Sequence, residues 1–218
     1  MTLPTDAELV NLAAAIYHDG GQWDYFDPGF DDEICVAIKK LDGCDVVVFR
    51  GSIVFHDWVV DFRADPIKTT VGTVHSGFHA DMPKAWAELK PKLTQPVIVT
   101  GHSLGAARAD ILCGLMALDG VLPARRVVFG EPRPGMADFA KLIAEIPAVS
   151  YRNIGLVRHD YVTDVPLKLL PPFNFVHPTE LTSVPVKLTA NFIDKCSLFA
   201  YHHIELYQTS VARSNSSE

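Results

Sequence analysis

The sequence predicts an α/β domain built on a central, mostly parallel sheet flanked by helices. Short, continuously apolar runs such as Val46-Val47-Val48-Phe49 and Val97-Ile98-Val99 read as strands covered on both faces. Between such runs lie stretches with helical spacing of apolar residues, so strand and helix alternate through the middle of the chain.

Each element follows from its local pattern. Thr5-Asp6-Ala7-Glu8 fits a capping box, and Leu9, Leu12, Ala13 and Ile16 follow at helical spacing, predicting a helix over 5–17. Ile34 to Leu41 and Asp45 to Arg50 read as antiparallel strands about an Asp42-Gly43 turn. A helix is predicted over 78–93, with Phe78, Met82, Ala85, Trp86 and Leu89 on one side. Pro96 precedes the next strand, and an Ala- and Leu-rich helix follows over about 104–118. Arg126 to Gly130 is a strand, 136–144 a helix, Val149 to Asn153 a strand and Val184 to Leu188 another. A last helix is predicted over about 203–212.

A chain of 218 residues with 48% hydrophobic content can bury a sizeable core. It shows no repeat or linker and is read as one domain over 1–218, with disorder expected only in the tail Arg213–Glu218. The net charge of −7 and the lack of a dense basic patch argue against nucleic acid and against electrostatic docking on anionic membranes. No apolar run approaches the length of a membrane span. The start, Met1 to Glu8, does not read as a signal peptide, although a processed start would look the same. Of the four cysteines, Cys35 and Cys44 fall on opposite arms of the hairpin, where Cys44 faces Leu41, so free thiols are expected. The location stays open, with the cytoplasm favoured.

The chemistry centres on Gly101-His102-Ser103-Leu104-Gly105, a G-x-S-x-G motif. The motif is short enough to recur by chance; here it stands between a strand, Val97 to Thr100, and a helix starting Ala106-Ala107-Arg108. Such a turn lifts a serine hydroxyl above the sheet, and glycines are needed where side chains would clash. The helix N-terminus favours negative charge, so the Leu104 amide can help hold an oxyanion.

Several blocks, in order, resemble the class 3 lipases, the filamentous-fungal triacylglycerol lipase family with an α/β-hydrolase fold. They are Phe49-Arg50-Gly51-Ser52, His56 to Phe62, Val74-His75-Ser76-Gly77-Phe78, Gly101 to Ala107, and Phe129 to Gly135. The resemblance runs from about residue 45 to 207. It implies that Ser52 supplies the second oxyanion donor through its backbone N–H, and that Ile53 to Trp58 forms a lid, the alternative being a packed loop.

A serine hydroxyl needs a base, and the base an orienting acid, in the chain order Ser, acid, His. Asp160 and Asp164 are both candidate acids. Asp160 fits the family pattern D-x-V-x-x-[LV]-P through Val162, Val165 and Pro166. His202 and His203 are both candidate bases, and the spacing H-x-I-x-x-Y of smaller relatives selects His202, with Ile204 and Tyr207. Tyr201 stands where fungal members usually have Asp. His75, His102 and His177 read as structural, and a metal on His75 and His79 is disfavoured by Gly77 and by the lack of an intervening glutamate.

The expected activity is hydrolysis of carboxylic esters, foremost acylglycerols or related fatty-acyl esters, through Ser103, Asp160 and His202 with Ser52 and Leu104 as oxyanion donors. No metal or organic cofactor is required. A short-chain esterase, or a phospholipase or acyltransferase with the same triad, is the nearest alternative, and a catalytically silent binding module the alternative of another class. The expected partner is a lipid or small ester, with transient contact at a lipid interface.

Overall fold

Thr5 caps the first helix, α1 (Asp6–Ala15): its hydroxyl accepts from the Glu8 amide and the Glu8 carboxylate reaches back to the Thr5 amide at 2.7 Å. The computed structural model describes residues 3–18, 22–29, 34–52, 65–156, 158–166, 174–186 and 200–215. The expected lid Ile53–Trp58, the block His56–Phe62 and Cys196 lie outside them.

The sheet has seven strands. A short edge strand β1 (Tyr25–Asp27) pairs antiparallel with β2 (Val36–Leu41), which turns at Asp42-Gly43 into antiparallel β3 (Cys44–Phe49). A separate hairpin, β4 (Pro66–Thr69) and β5 (Gly72–His75), follows. The sheet then continues in parallel from β3 through β6 (Val97–His102), β7 (Arg125–Phe129), β8 (Ala148–Ile154) and β9 (Leu181–Pro185). Thus five neighbouring strands run parallel, as the apolar runs predicted.

Side-chain alternation sorts the strands onto two cores. Val47 and Phe49, Val97 and Val99, and Val128 face one side, packed by α2 (Ser76–His79), α3 (Met82–Leu89), α4 (Leu104–Leu118) and α5 (Ala137–Leu142) through Phe78, Met82, Leu112 and Phe139. Val46 and Val48, Ile98, and Val127 and Phe129 face the other, covered by α1 and α6 (Ile204–Asn215) through Leu9, Ala13, Tyr207 and Val211. Helices therefore cover both faces of one sheet.

Three expectations need correction. The single helix over 78–93 is two, because Asp81 takes a left-handed φ of 59° between them. Pro83 then sits in the first turn of α3, the position a helix tolerates. The strand expected at Val184 to Leu188 begins earlier, at Leu181, and Pro185 closes it at the sheet edge. Arg213 to Asn215, expected as disordered tail, belong to α6. Leu41 pairs with Cys44 in the hairpin; Cys44 and Cys113 are free thiols, and they and Cys35 are buried.

Candidate active site

The carboxyl ends of β3, β6, β7 and β8 lie side by side, and the loops leaving them carry the residues singled out above. Crevices at such strand ends are where open α/β sheets bind ligands.

Ser103 connects β6 to α4 with φ 60° and ψ −129°, a conformation that costs a non-glycine residue about 1–3 kcal/mol. The turn is tight on both sides. A Cβ on Gly101 would lie 2.4 Å from the Gly105 carbonyl oxygen, and one on Gly105 would lie 2.3 Å from that of Phe49. The Ser103 amide is tied to the Phe129 carbonyl at 3.0 Å. Ser103 is buried, and its hydroxyl makes no hydrogen bond among the described residues. Leu104 opens α4, where first-turn amides have no intrahelical partner.

Gly51 brings the loop after β3 against the serine. A Cβ there would lie 2.7 Å from the His102 carbonyl oxygen and 3.0 Å from Ser103 Cβ. Ser52 follows directly and is partly exposed.

Asp160 is fully buried. Its Oδ1 accepts from the Val162 amide at 3.0 Å, and its Oδ2 meets His202 Nδ1 at 2.7 Å and the Tyr207 hydroxyl at 2.6 Å. Burial opposes its ionisation. The neighbouring His202 and the three hydrogen bonds outweigh this and hold the carboxyl below the usual carboxylate range. The carboxylate accepts, so His202 donates through Nδ1, leaving Nε2 as its basic nitrogen. His203 is exposed, whereas His202 is buried. Asp164 turns elsewhere: its Oδ2 meets His159 Nε2 at 2.6 Å and its Oδ1 accepts from Arg133 at 3.3 Å.

His102, between Gly101 and Ser103, stacks on His202 with ring centroids 4.5 Å apart. Its Nδ1 meets the Tyr17 hydroxyl at 2.9 Å and its Nε2 the His202 carbonyl at 2.8 Å. His75 is buried and accepts from the Gly77 amide through Nδ1. His177 meets the Thr163 carbonyl at 2.7 Å, and the Thr163 hydroxyl donates to the Asp160 carbonyl.

Three contributors escaped the sequence reading. Tyr17 bridges to His102 from the end of α1. Asn153, buried in β8, accepts the Asp160 amide on its carbonyl and donates its Nδ2 to the Tyr201 carbonyl, so one residue anchors both the acid and the base segments. Arg126 is buried against Asp110 and Glu131, and Glu131 also accepts from Ser150 at 2.5 Å. For Asn153 and Arg126 the sequence signal was a polar residue inside an otherwise apolar strand, which requires buried partners; Tyr17 carried none.

A family profile described as Lipase (class 3) matches residues 46–170, more than half of the chain. A secreted mono- and diacylglycerol lipase from Fusarium solani is 31% identical over 142 residues, which are 60% of this chain and 40% of that one. A lipase from Rhizomucor miehei is 30% identical over 169 residues, 69% of this chain and 44% of that one. The chain thus spans less than half the length of these curated relatives. Among solved structures, the native Rhizomucor miehei lipase propeptide complex superposes with a TM-score of 0.68 at 22% identity, over 82% of this chain and 67% of that one. The Rhizopus microsporus var. chinensis lipase gives 0.63 at 22%, over 85% and 75%. These likenesses bear on the fold, and the parallel sheet covered by helices is that of an α/β-hydrolase.

The preference for a cytoplasmic location is overturned by the Fusarium relative, which is named as secreted. Free thiols do not decide the compartment, because burial pushes the Cys44 and Cys113 thiols up and away from the thiolate state through which they would oxidise.

Proposed function

The chain belongs to the class 3 lipase family, and from that premise we propose that it hydrolyses carboxylic esters, foremost acylglycerols and related fatty-acyl esters, with Ser103 as nucleophile. The observation that carries this reading is the 2.7 Å contact between His202 Nδ1 and a buried Asp160 held below the usual carboxylate range, with His202 stacked on His102, the residue before a serine held in a strained turn.

In the proposed cycle, His202 Nε2 takes the Ser103 proton as the hydroxyl attacks the ester carbonyl. Asp160 fixes the tautomer of His202 and stabilises the imidazolium. The N–H groups of Leu104 and Ser52 hold the oxyanion of the tetrahedral intermediate. Collapse expels the alcohol, which takes its proton from His202. Water, activated by the same imidazole, then releases the acid. The chain's own residues supply every proton transfer and donor in this scheme.

Several features support the substrate class. The relatives are named as lipases, and the net charge of −7 with no basic cluster disfavours nucleic acid and suits a neutral ester. No helix among the described residues is long and apolar enough to cross a membrane. We read residues 1–218 as one catalytic domain, because both cores share the same sheet.

The test is turnover of p-nitrophenyl esters from acetate to palmitate, with and without a lipid interface, against Ser103→Ala. Serine-dependent turnover extending to long chains is expected. Equal turnover by the alanine variant would overturn the assignment of the nucleophile, and confinement to short chains would overturn the acylglycerol substrate.

A further inference from the structure

Gly51 precedes the proposed oxyanion donor Ser52, and its amide donates to the Tyr17 hydroxyl at 3.1 Å. That hydroxyl also meets His102 Nδ1 at 2.9 Å, and His102 Nε2 meets the His202 backbone carbonyl at 2.8 Å. The donors in this chain are fixed by chemistry. A carbonyl only accepts, so His102 Nε2 carries the proton, and Nδ1 must accept from Tyr17. The Tyr17 hydroxyl, having donated to His102, accepts from Gly51. Every group is used once and in one direction. Burial pushes His102 down to about 3 and the Tyr17 phenol well up, so neither link changes charge in the working range.

The run therefore joins the loop after β3, the residue before the nucleophile and the backbone of the base. The Arg50 amide is tied to the Cys35 carbonyl, and Gly51, without a side chain, joins the run through its own amide. We propose that Tyr17, acting through His102, is a positioning residue that sets the oxyanion loop against Ser103 and His202. The inference rests on the ester-hydrolase reading above, because an oxyanion loop has meaning only there.

A residue that aims a donor at developing charge acts on the transition state more than on substrate binding. Tyr17→Phe keeps the ring and deletes the hydroxyl, leaving the Gly51 amide without its acceptor. It should lower kcat by about 10- to 100-fold, less than the ~100- to 1,000-fold of deleting an oxyanion donor outright. KM should stay within about twofold. Affinity for an alkyl trifluoromethyl ketone, which forms a hemiketal oxyanion on the serine, should weaken by the same factor as kcat. His102→Gln breaks the same chain while keeping an amide for the His202 carbonyl, so the double variant should fall little below the worse single one.

If Tyr17→Phe keeps kcat within twofold of wild type, or loses kcat with unchanged ketone affinity, or if the two substitutions add in full, the positioning role is wrong. A wild-type protein without Ser103-dependent turnover would instead remove the ester-hydrolase reading, and this inference with it. The first set of results is read against an active parent and the second is not, so the two failures are distinguishable.

Discussion

The Tyr207 hydroxyl donates at 2.6 Å to the Oδ2 of Asp160, the same oxygen that meets His202 Nδ1, and accepts the Asn153 amide at 3.2 Å. Tyr207 is thus a structural partner of the proposed acid, delivered by α6 five residues after the proposed base. Tyr207→Phe removes one of the bonds holding the Asp160 carboxyl down. It should cost about 1.5–3 kcal/mol of stability, the range for a hydrogen bond to a charged group. The folded pKa of Asp160 should rise towards its ordinary value. Because a depressed carboxyl stabilises the fold above its unfolded value of about 3.9 and loses that contribution as pH falls, the variant should lose less on acidification. Urea unfolding at pH 7 and at about pH 2, below that unfolded value, measures both effects, and equal losses for variant and parent would contradict the assignment.

Ser103 holds φ 60°, a backbone state that glycine adopts freely. Ser103→Gly should therefore abolish turnover yet raise stability by roughly 1 kcal/mol, the released strain being partly offset by the greater freedom of glycine in the unfolded chain. Thermal unfolding of Ser103→Gly beside Ser103→Ala checks this. A glycine variant no more stable than the alanine variant would mean that the turn carries no strain.

Much of this fold is legible where a segment's pattern admits one reading. The strands Cys44–Phe49 and Val97–His102 are apolar throughout because both faces are covered, and the helix Leu104–Leu118 is buried along most of its length. The break at Asp81 was hidden because apolar spacing continues across it; Pro83 was the overlooked signal, since a proline six residues into a helix would disrupt it. The edge strand Tyr25–Asp27 and the hairpin β4–β5 are too short to show a period. The proposed triad, Ser103, Asp160 and His202, is picked out by motif spacing, which is local. Tyr17 and Asn153 do not, because their partners lie 85 and 48 residues away in His102 and Tyr201.

His102 should leave a signature in the pH dependence of stability. Burial pushes its folded pKa down to about 3, against about 6.5 when unfolded. A group with a depressed folded value leaves the unfolded state binding more protons below pH 6.5. Stability from this group is therefore complete above pH 6.5 and declines towards pH 3, with a slope reaching about 1.4 kcal/mol per pH unit. His102→Gln removes the titrating ring, so the slope between pH 6 and pH 4.5 should flatten. Denaturant midpoints across that interval measure it, and an unchanged slope would assign the acid sensitivity to other groups.

Gly130 lies where the loop after β7 passes the base and the acid. Its φ is 58°, and a Cβ would stand 2.8 Å from His202 Cε1 and 2.9 Å from both Asp160 Oδ2 and His202 Nδ1. Gly130→Ala therefore meets two penalties. The left-handed conformation costs an alanine about 1–2 kcal/mol. The methyl group must also push the imidazole or the carboxylate aside, and a shift of the order of 1 Å at a reacting group costs about 100-fold in rate. Gly120→Ala separates the two: its φ is 72°, but nothing lies within 4 Å of the added carbon. That variant should lose similar conformational stability and keep full activity. If both alanine variants lose stability alike and only Gly130→Ala loses kcat, the crowding of His202 and Asp160 is the cause. If Gly130→Ala keeps its kcat, the pair can move without harm, and the close approach of this loop has no part in holding their geometry.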